Sequence, residues 1–265
     1  MYSRFQLAKK YFHYYITAAS GKGHGIHSPF VFDFVTNVLN DRNKSERSEE
    51  IEKLRNSLLQ NNTSIDVEDF GAGSGIIKTS RRLVKQIASS SSKPQKYAML
   101  IGRIAKYHNT KTIIELGTSF GISAAYIASA NPMSAVFTLE GSESISNIAQ
   151  NNFDKLSLRN INLIRGDFND TLPGLLSKLS KIDLAFIDGN HRKLPVLKYF
   201  NQLLAKSTNS AVFIFDDIHW SYEMEEAWKE IQAHPGISVT IDLFFLGIVF
   251  FNKDFKVKQH FVIRF

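Results

Sequence analysis

The segment Lys111-Thr-Ile-Ile-Glu-Leu-Gly-Thr-Ser-Phe-Gly121 decides the fold of this chain. Its apolar run, Thr112 to Leu116, predicts a short buried strand, and the residues from Gly121 to Ala130 predict a helix. A glycine loop that leaves a buried strand and opens a helix lets the backbone approach a ligand closely. The segment therefore predicts the ligand-binding turn of an α/β fold.

The alternation of strand and helix continues toward the C-terminus. Apolar runs at 135–139, 161–164, 182–187 and 211–215 alternate with helical segments near 143–156, 171–179, 194–206 and 222–233. Five such units favour a parallel sheet with helices on both faces. Three further runs, at 237–243, 247–251 and 260–265, leave no room for helices between them. We therefore predict a Rossmann-like, doubly wound sheet of seven strands, mostly parallel, that ends in an antiparallel C-terminal hairpin.

The first part of the chain is predicted to be a helical extension. Helices are expected at 2–19, 30–39 and 48–60, and Ser89 to Pro94 is expected to be a flexible connector. The predicted domains are thus an N-terminal helical region, 1–92, and a Rossmann-like domain, 93–265. The aromatic residues of the first helix either pack against the sheet or form the contact of a homodimer.

The composition excludes several classes of protein. Of the 265 residues, 43% are hydrophobic and 22% charged, which is typical of a soluble globular protein. No apolar run reaches the roughly 18–20 residues that a membrane span requires, and the first residues lack the pattern of a signal peptide. The absence of cysteine excludes disulfides, thiolate metal sites and a cysteine nucleophile, and it suits a cytoplasmic location.

The net charge of +7 is unevenly distributed. Residues 1–110 hold 17 basic and 9 acidic side chains, and residues 76–110 hold eight Lys or Arg and no Asp or Glu. Such an asymmetry indicates either an anionic partner or a solvated helix face.

Two glycine-rich segments compete for the role of nucleotide-binding loop. Asp69 to Gly75 contains an acidic-x-Gly-x-Gly-x-Gly string, whereas in Glu115 to Gly121 the middle glycine is replaced by Ser119. Only the second segment follows a predicted strand, opens a helix and precedes a strand with an acidic end, Glu140. An acid at that point can accept hydrogen bonds from both hydroxyls of a ribose. We therefore choose the second segment and expect 69–75 to be a mobile loop.

With these residues, the chain resembles the class I S-adenosylmethionine-dependent methyltransferases from about Gln95 to Phe251. The resemblance rests on Glu115-x-Gly117-x-x-x-Gly121, Glu140-Gly141-Ser142, Gly166-Asp167-Phe168 and the antiparallel finish. It implies that S-adenosylmethionine lies on the loop, including Thr118 and Ser119, that Glu140 holds the ribose, and that Asp167 and Phe168 contact the adenine. It also implies that the region 1–92 acts as a lid.

Within this family the chain looks most like the catechol-type and bacterial O-methyltransferases. Phe186-Ile-Asp188-Gly-Asn-His191 ends the fourth predicted strand, and Phe215-Asp216-Asp217 ends the fifth. The resemblance implies that Asp188, Asp216 and Asp217 bind Mg²⁺, and Asp188 is also expected to contact the cofactor. Asp217 stands where these enzymes usually have asparagine, and His191 stands where they have a lysine base.

The residues themselves support a cation site. The carboxyl ends of parallel strands meet at one edge of a sheet, where converging carboxylates repel one another unless a cation compensates them. Carboxylate oxygens suit Mg²⁺. The alternative is that Asp216 or Asp217 caps the following helix. His191 and His219 are both candidates for a base that accepts the proton of a hydroxyl nucleophile.

The sequence thus predicts an enzyme that methylates a hydroxyl oxygen of a small molecule with the help of a divalent metal. The basic stretch leads us to expect an acceptor that is anionic or lipid-linked. The alternatives are methylation of nitrogen or nucleic acid, and binding of S-adenosylmethionine without catalysis. Nucleic acid is disfavoured because the sequence contains no Asn-Pro-Pro-Tyr-like string and no recognisable RNA-binding module.

Overall fold

Ten α-helices and ten β-strands make up the described residues of the computed structural model, which are 1–41, 43, 46–69, 78–251, 255 and 257–265. The helices are α1 (Arg4–Thr17), α2 (Pro29–Phe34), α3 (Glu46–Leu59), α4 (Val84–Ser91), α5 (Gln95–Tyr107), α6 (Ile122–Ala130), α7 (Glu143–Lys155), α8 (Phe168–Lys178), α9 (Lys193–Leu204) and α10 (Tyr222–Ala233), and a π-helical turn, Val35–Leu39, continues α2. The strands are β1 (Ser64–Asp69), β2 (Lys78–Leu83), β3 (Thr112–Leu116), β4 (Ala135–Glu140), β5 (Ile161–Arg165), β6 (Ile182–Ile187), β7 (Ser207–Asp216), β8 (Val239–Asp242), β9 (Leu246–Phe250) and β10 (Gln259–Val262).

The chain folds into two units. One comprises Met1–Arg42 together with Lys181–Phe265, and the other comprises Asn43–Ser180. The predicted fold class, an α/β sheet that is mostly parallel with an antiparallel strand near the C-terminus, is confirmed. The predicted division into 1–92 and 93–265 stays a prediction.

In the unit Asn43–Ser180, three parallel strands carry the predicted glycine loop. They lie in the order β3, β4, β5, and each of the two pairings is parallel. In this register Glu115 lies opposite Thr138, and Glu140 lies opposite Arg165. Parallel strands buried on both faces favour continuous apolar runs, which is why the sequence located them well. The carboxyl ends of β3 and β4 are thereby placed side by side.

An antiparallel hairpin is formed by residues 64–69 and 78–83, where no strand was predicted. β1 and β2 pair from Ser64 opposite Leu83 to Asp69 opposite Lys78. The first strand forms because residues 64–67 alternate polar and apolar side chains, and Val67 is buried in the core of the unit. The glycine-rich residues 70–75, expected to form a mobile loop, lie outside the described residues.

Half of the serine-rich connector expected from Ser89 to Pro94 is helical, because its first three residues belong to α4. α4 extends to Ser91, and α5 begins at Gln95. The helix forms because Val84, Ile87 and Ala88 are buried on one side of α4, so that packing overrides the weak helix propensity of the serines. The connection between the two helices is therefore short.

In the other unit, β6 and β7 run parallel, and β9 lies antiparallel to both β7 and β8. The order is β10, β8, β9, β7, β6. The last apolar run, 260–265, was expected to belong to the antiparallel end of the sheet. Instead, β10 lies beside β8 rather than beside β9, and it therefore pairs in parallel.

Helix α1 is held against this unit by one face. Ser3 and Gln6 form a capping box at its start, and Tyr14 is buried against Phe244. After the helix, Ala19 pairs in parallel with Ile263, beyond the end of β10. Among the described residues, no helix is both long and apolar enough to cross a membrane.

Candidate functional site

The loop after β3 has the backbone conformation that its glycines permit. Gly117 has φ 101° and Gly121 has φ 82°, both in the left-handed region that favours glycine. The backbone N–H groups of Gly117 and Thr118 donate to the carbonyl oxygen of Leu139, at 3.0 and 3.1 Å. These two hydrogen bonds hold the loop against the end of β4. A loop fixed in this way lets its backbone approach a ligand closely.

Helix α7 fixes the point where this loop becomes α6. A Cβ atom at Gly121 would lie 2.3 Å from the ring of Phe153, so only glycine fits there. The buried amide of Asn152 donates to the carbonyl oxygen of Phe120 at 3.0 Å. Sequence reasoning did not identify Asn152 or Phe153, because no local spacing connects them with a loop 32 residues earlier.

The carboxylate of Glu140 receives backbone donors from two sides. Its Oε2 accepts from the N–H of Ser119 at 2.8 Å, and its Oε1 accepts from the N–H of Ser142 at 3.1 Å. Burial raises the pKa of Glu140, while backbone hydrogen bonds from Ser142, Ser119 and Gly141 act in the opposite direction. Each carboxylate oxygen has a second lone pair, so Glu140 can still accept hydrogen bonds from a diol.

Glu115 is fully buried and faces hydroxyl groups. The hydroxyl of Thr138 donates to its Oε2 at 2.5 Å, and the same hydroxyl lies 2.5 Å from that of Thr118. Burial raises the pKa of Glu115 to about 7, although hydrogen bonds from Ser123 and Thr138 lower it. The loop thus has a buried carboxyl group at its base, and ionising that group in the folded protein costs free energy.

The segment after β5 lies next to the same loop. The N–H of Gly166 donates to the carbonyl oxygen of Glu140 at 2.9 Å, and Gly166 has φ 125°. Asp167 is the N-cap of α8, because its Oδ1 accepts from the N–H of Asn169 at 2.6 Å. Phe168 begins that helix and is half-buried. The unit Asn43–Ser180 therefore brings Glu140, predicted to hold a ribose, close to Asp167 and Phe168, predicted to contact an adenine.

A contact from α4 also reaches the loop. The hydroxyl of Ser91 donates to the carbonyl oxygen of Ile87 at 2.8 Å and lies 2.6 Å from the hydroxyl of Ser119. Because the single proton of Ser91 is used on the carbonyl, Ser119 is the donor between the two hydroxyls. Sequence reasoning missed this contact, since it had assigned Ser91 to a connector.

In the unit that contains β6 and β7, three predicted side chains come together. Asp188 follows β6, Asp216 ends β7, and His191 follows Asp188 by three residues. One ligand atom from each lies within 4.8 Å of the other two. His191 Nε2 is 3.6 Å from Asp188 Oδ1, and Asp216 is 1% exposed. Two carboxylates and an imidazole at these separations offer a divalent cation three donors.

Asp217 does not belong to that three-residue group. It has φ 53°, its N–H donates to the carbonyl oxygen of Phe245 at 2.8 Å, and its own carbonyl oxygen accepts from the N–H of Trp220. Neither Asp216 nor Asp217 caps α10. The N-cap is Ser221, whose hydroxyl accepts from the N–H of Met224 at 3.2 Å.

His219 is hydrogen-bonded at both ring nitrogens. Nδ1 is 3.0 Å from Glu225 Oε1, and Nε2 is 2.8 Å from Asp242 Oδ2. Burial lowers the pKa of His219, but the two carboxylates outweigh that effect and raise it overall. Glu225 also accepts from Lys10 at 2.9 Å and from the hydroxyl of Tyr2 at 2.8 Å. The imidazole is therefore engaged in a charged network with α1 and α10.

Part of the chain matches a known family profile, and most of the chain resembles several solved structures. Residues 114–218 match a family profile described as "Methyltransferase domain". No curated protein sequence matches the chain. A methyltransferase of Podospora anserina bound to SAH is similar in structure, with 13% identity, a TM-score of 0.60, and coverage of 96% of this chain and 98% of that one.

Two further solved structures are similar. An O-methyltransferase from Bacillus cereus in complex with SAH has 19% identity and a TM-score of 0.57, with 83% of this chain and 97% of that one covered. The O-methyltransferase TomG from Streptomyces achromogenes, in complex with SAM, has 18% identity and a TM-score of 0.54, with 61% and 82% covered. At these identities the likeness establishes the fold.

Proposed function

We propose that this protein is a class I S-adenosylmethionine-dependent methyltransferase and that it transfers a methyl group to a hydroxyl oxygen of a small molecule with the help of a divalent cation. The observation that carries the proposal is the group formed by Asp188, His191 and Asp216, whose ligand atoms lie within 4.8 Å of one another. A transfer to oxygen needs a group that removes the hydroxyl proton, and this cluster offers one.

The unit Asn43–Ser180 would hold the methyl donor. In this proposal the carboxylate of Glu140 accepts hydrogen bonds from the ribose hydroxyls, and the loop Gly117–Gly121 lies under the methionine part of the donor. Asp167 and Phe168 contact the adenine. The fit is supported by the left-handed glycines of the loop and by the acceptor capacity that remains on Glu140.

Asp188 and Asp216 would hold the cation through their carboxylate oxygens. Hard oxygen donors of this kind suit Mg²⁺, and His191 beside them is left free of the cation so that it can accept a proton. A bound cation lowers the pKa of a hydroxyl group that it contacts. We retain Asp217 as a weaker proposal for a third ligand, because its carboxylate lies outside the described three-residue group.

His191 is the proposed base. It accepts the proton of the acceptor hydroxyl, and the oxygen attacks the methyl carbon of the donor. The carbon–sulfur bond breaks, its electron pair stays on sulfur, and S-adenosylhomocysteine leaves. We prefer His191 to His219 because both ring nitrogens of His219 already contact carboxylates. Alignment of the two reactants supplies much of the remaining rate enhancement.

An anionic acceptor remains part of the proposal. Arg81 and Arg82 are both exposed on β2, in the basic stretch 76–110. The register of the hairpin places Asp66 opposite Arg81, which reduces the local excess of positive charge. We therefore expect a modest electrostatic contribution that acts on substrate capture and weakens with salt.

The test is methyl transfer from labelled S-adenosylmethionine to a panel of phenols, catechols, hydroxy acids and amines. We expect label in an ether-linked product, loss of transfer in excess EDTA and its return with Mg²⁺ or Mn²⁺. Asp188→Asn and Asp216→Asn should lower kcat, whereas Asp170→Asn, exposed on α8, should leave it unchanged.

Three other outcomes would contradict parts of the proposal. Transfer only to amines or to nucleic acid would reject the hydroxyl acceptor. Full activity in EDTA would reject the cation while leaving His191 as the base. Tight binding of S-adenosylmethionine with no transfer to any acceptor would favour a non-catalytic binding protein.

A further inference from the structure

Helix α1 presents an apolar stripe to solvent. Phe5 is 80% exposed, Phe12 is 65% exposed and Ile16 is 60% exposed. Spacings of seven and four residues place these side chains on one side of a helix. Met1, just before the helix, is 86% exposed. Exposed large apolar side chains that form a continuous patch are uncommon unless the patch contacts something.

The position of this stripe is fixed by the opposite face of the helix. Tyr14 is buried, and its hydroxyl donates to the carbonyl oxygen of Ile263. Tyr11 packs edge-on against Phe244 at 5.1 Å between ring centroids. Lys10 pairs with Glu225 at 2.9 Å. Because these contacts anchor the inner face, α1 cannot bury its outer stripe by rolling on its own unit.

The borders of the stripe are basic. Arg4 and Lys9 are exposed on α1, with Lys9 about 40° from Phe5 around the helix and Arg4 about 100° from it on the other side. The guanidinium group of Arg264 lies 4.7 Å from the ring centroid of Tyr15, which is 48% exposed. Residues 1–32 contain no Asp or Glu. The apolar stripe is thus bordered by cations.

We propose that α1 docks this protein on an anionic lipid surface. A helix with aromatic residues on one face and Lys or Arg on its borders binds in the interface of a bilayer, where the apolar face enters the acyl boundary and the cations contact anionic headgroups. A second copy of the chain is a poorer occupant, because it would bring α1, which carries Arg4, Lys9 and Lys10 and no acidic residue, against another copy of the same positive helix.

The experiment is sedimentation of the full-length protein with lipid vesicles. Binding is expected with vesicles that contain phosphatidylglycerol and is expected to be weak with pure phosphatidylcholine. Phe5→Ser/Phe12→Ser should weaken binding about tenfold or more, since each change removes a large apolar side chain from the acyl boundary. Arg4→Glu/Lys9→Glu should abolish the preference for phosphatidylglycerol.

The matched control is Met133→Ser/Leu194→Ser, which removes two exposed apolar side chains elsewhere on the chain. It should bind vesicles like the wild type. Circular dichroism checks that all variants fold. Equal binding by the Phe5/Phe12 variant and the control would overturn the proposal. The proposal would also be overturned if the wild type bound neither kind of vesicle but formed a concentration-dependent dimer that the Phe5/Phe12 variant did not form.

Discussion

Glu140 accepts a hydrogen bond from the backbone N–H of Ser119, with 2.8 Å between Oε2 and the nitrogen. The acid proposed to hold the ribose therefore also shapes the loop proposed to lie under the donor. Ser119 has φ 47°, a conformation that a residue other than glycine rarely adopts, and the bond to Glu140 helps to maintain it. Recognition of the donor and conformation of the loop thus depend on one side chain.

Glu140→Ala should weaken binding of S-adenosylmethionine by about a hundredfold or more. The change removes two charge-assisted hydrogen bonds to ligand hydroxyls, each worth about 1.5–3 kcal/mol, and it also releases the loop. Calorimetric titration measures the affinity. Glu143→Ala, an exposed acid three residues later, is the control and should bind within about twofold of the wild type. Equal losses in both variants would contradict a ribose role for Glu140.

Gly121→Ala should disrupt the loop and reduce donor binding. The new methyl group would lie 2.3 Å from Phe153 at φ 82°, so we expect a loss of about 1–3 kcal/mol in the free energy of unfolding. Gly174→Ala is the matched control in the same unit, because its Cβ atom would meet nothing within 4 Å. That control should be neutral or stabilised by up to about 1 kcal/mol in urea unfolding. A tolerated Gly121→Ala would show that α7 does not restrict the loop.

Ser91→Ala should weaken donor binding about fivefold, because one neutral hydrogen bond that orders Ser119 is worth about 1 kcal/mol. Ser90→Ala is the control, since Ser90 also bonds to the carbonyl oxygen of Ile87 but is not bonded to the loop. A larger KM for S-adenosylmethionine with little change in kcat is expected for Ser91→Ala alone. Identical kinetics in the two variants would mean that the contact with Ser119 has no effect on the loop.

The fold was largely predictable from Lys111 onward because buried parallel strands are continuous apolar runs. The prediction of β6 at 182–187 and of α10 at 222–233 agrees with the structure. The hairpin of β1 and β2 was missed because its strands are half polar and because glycine-rich residues separate them. Its only signal, the alternation around Val67, is short and weak.

The site was predictable where the chemistry is local in sequence. The loop, Glu140 and the carboxylates after β6 and β7 stand next to strand ends, which the sequence reveals. Partners that arrive from distant helices leave no local signal. Asn152 reaches Phe120 across 32 residues, and Asp242 reaches His219 across 23. For this reason the sequence could propose two histidines as the base but could not separate them.

Because of Glu115, the free energy of unfolding should decrease as the pH rises from about 4.5 to about 7. Its pKa is raised to about 7 in the folded chain by burial, from an ordinary value of 4.5. Over this interval the unfolded chain has lost the proton and the folded chain keeps it, so stability falls as the pH rises; above about pH 7 the effect is complete.

Glu115→Gln removes this titration. The stability of the variant relative to the wild type should therefore increase from pH 5 to pH 8, by on the order of 2–3 kcal/mol, in urea unfolding of the ligand-free protein. Glu143→Gln, at an exposed position, should show no such change relative to the wild type. A constant difference between Glu115→Gln and wild type at both pH values would mean that Glu115 is ionised in the folded protein throughout.

Replacing His219 with alanine should affect the stability of the protein differently from replacing His191 with alanine. His219→Ala removes a hydrogen-bond partner from the carboxylates of Glu225 and Asp242, and Asp242 is only 6% exposed. Losing two charge-assisted hydrogen bonds, each worth about 1.5–3 kcal/mol, should lower the melting temperature by about 5–10 °C or more. The contact of His191 with Asp188 is long, at 3.6 Å, and loss of the imidazole should leave the melting temperature nearly unchanged.

Activity below the melting temperature distinguishes the two roles. His191→Ala should lower kcat about 100-fold or more, as expected when a general base is removed, with KM for S-adenosylmethionine unchanged. His219→Ala should keep most of its kcat while it is folded, because both of its ring nitrogens are committed to carboxylates. If His219→Ala were inactive with an unchanged melting temperature, and His191→Ala were active, the base would be His219, and the network of Lys10, Glu225 and Asp242 would serve to hold that base in place.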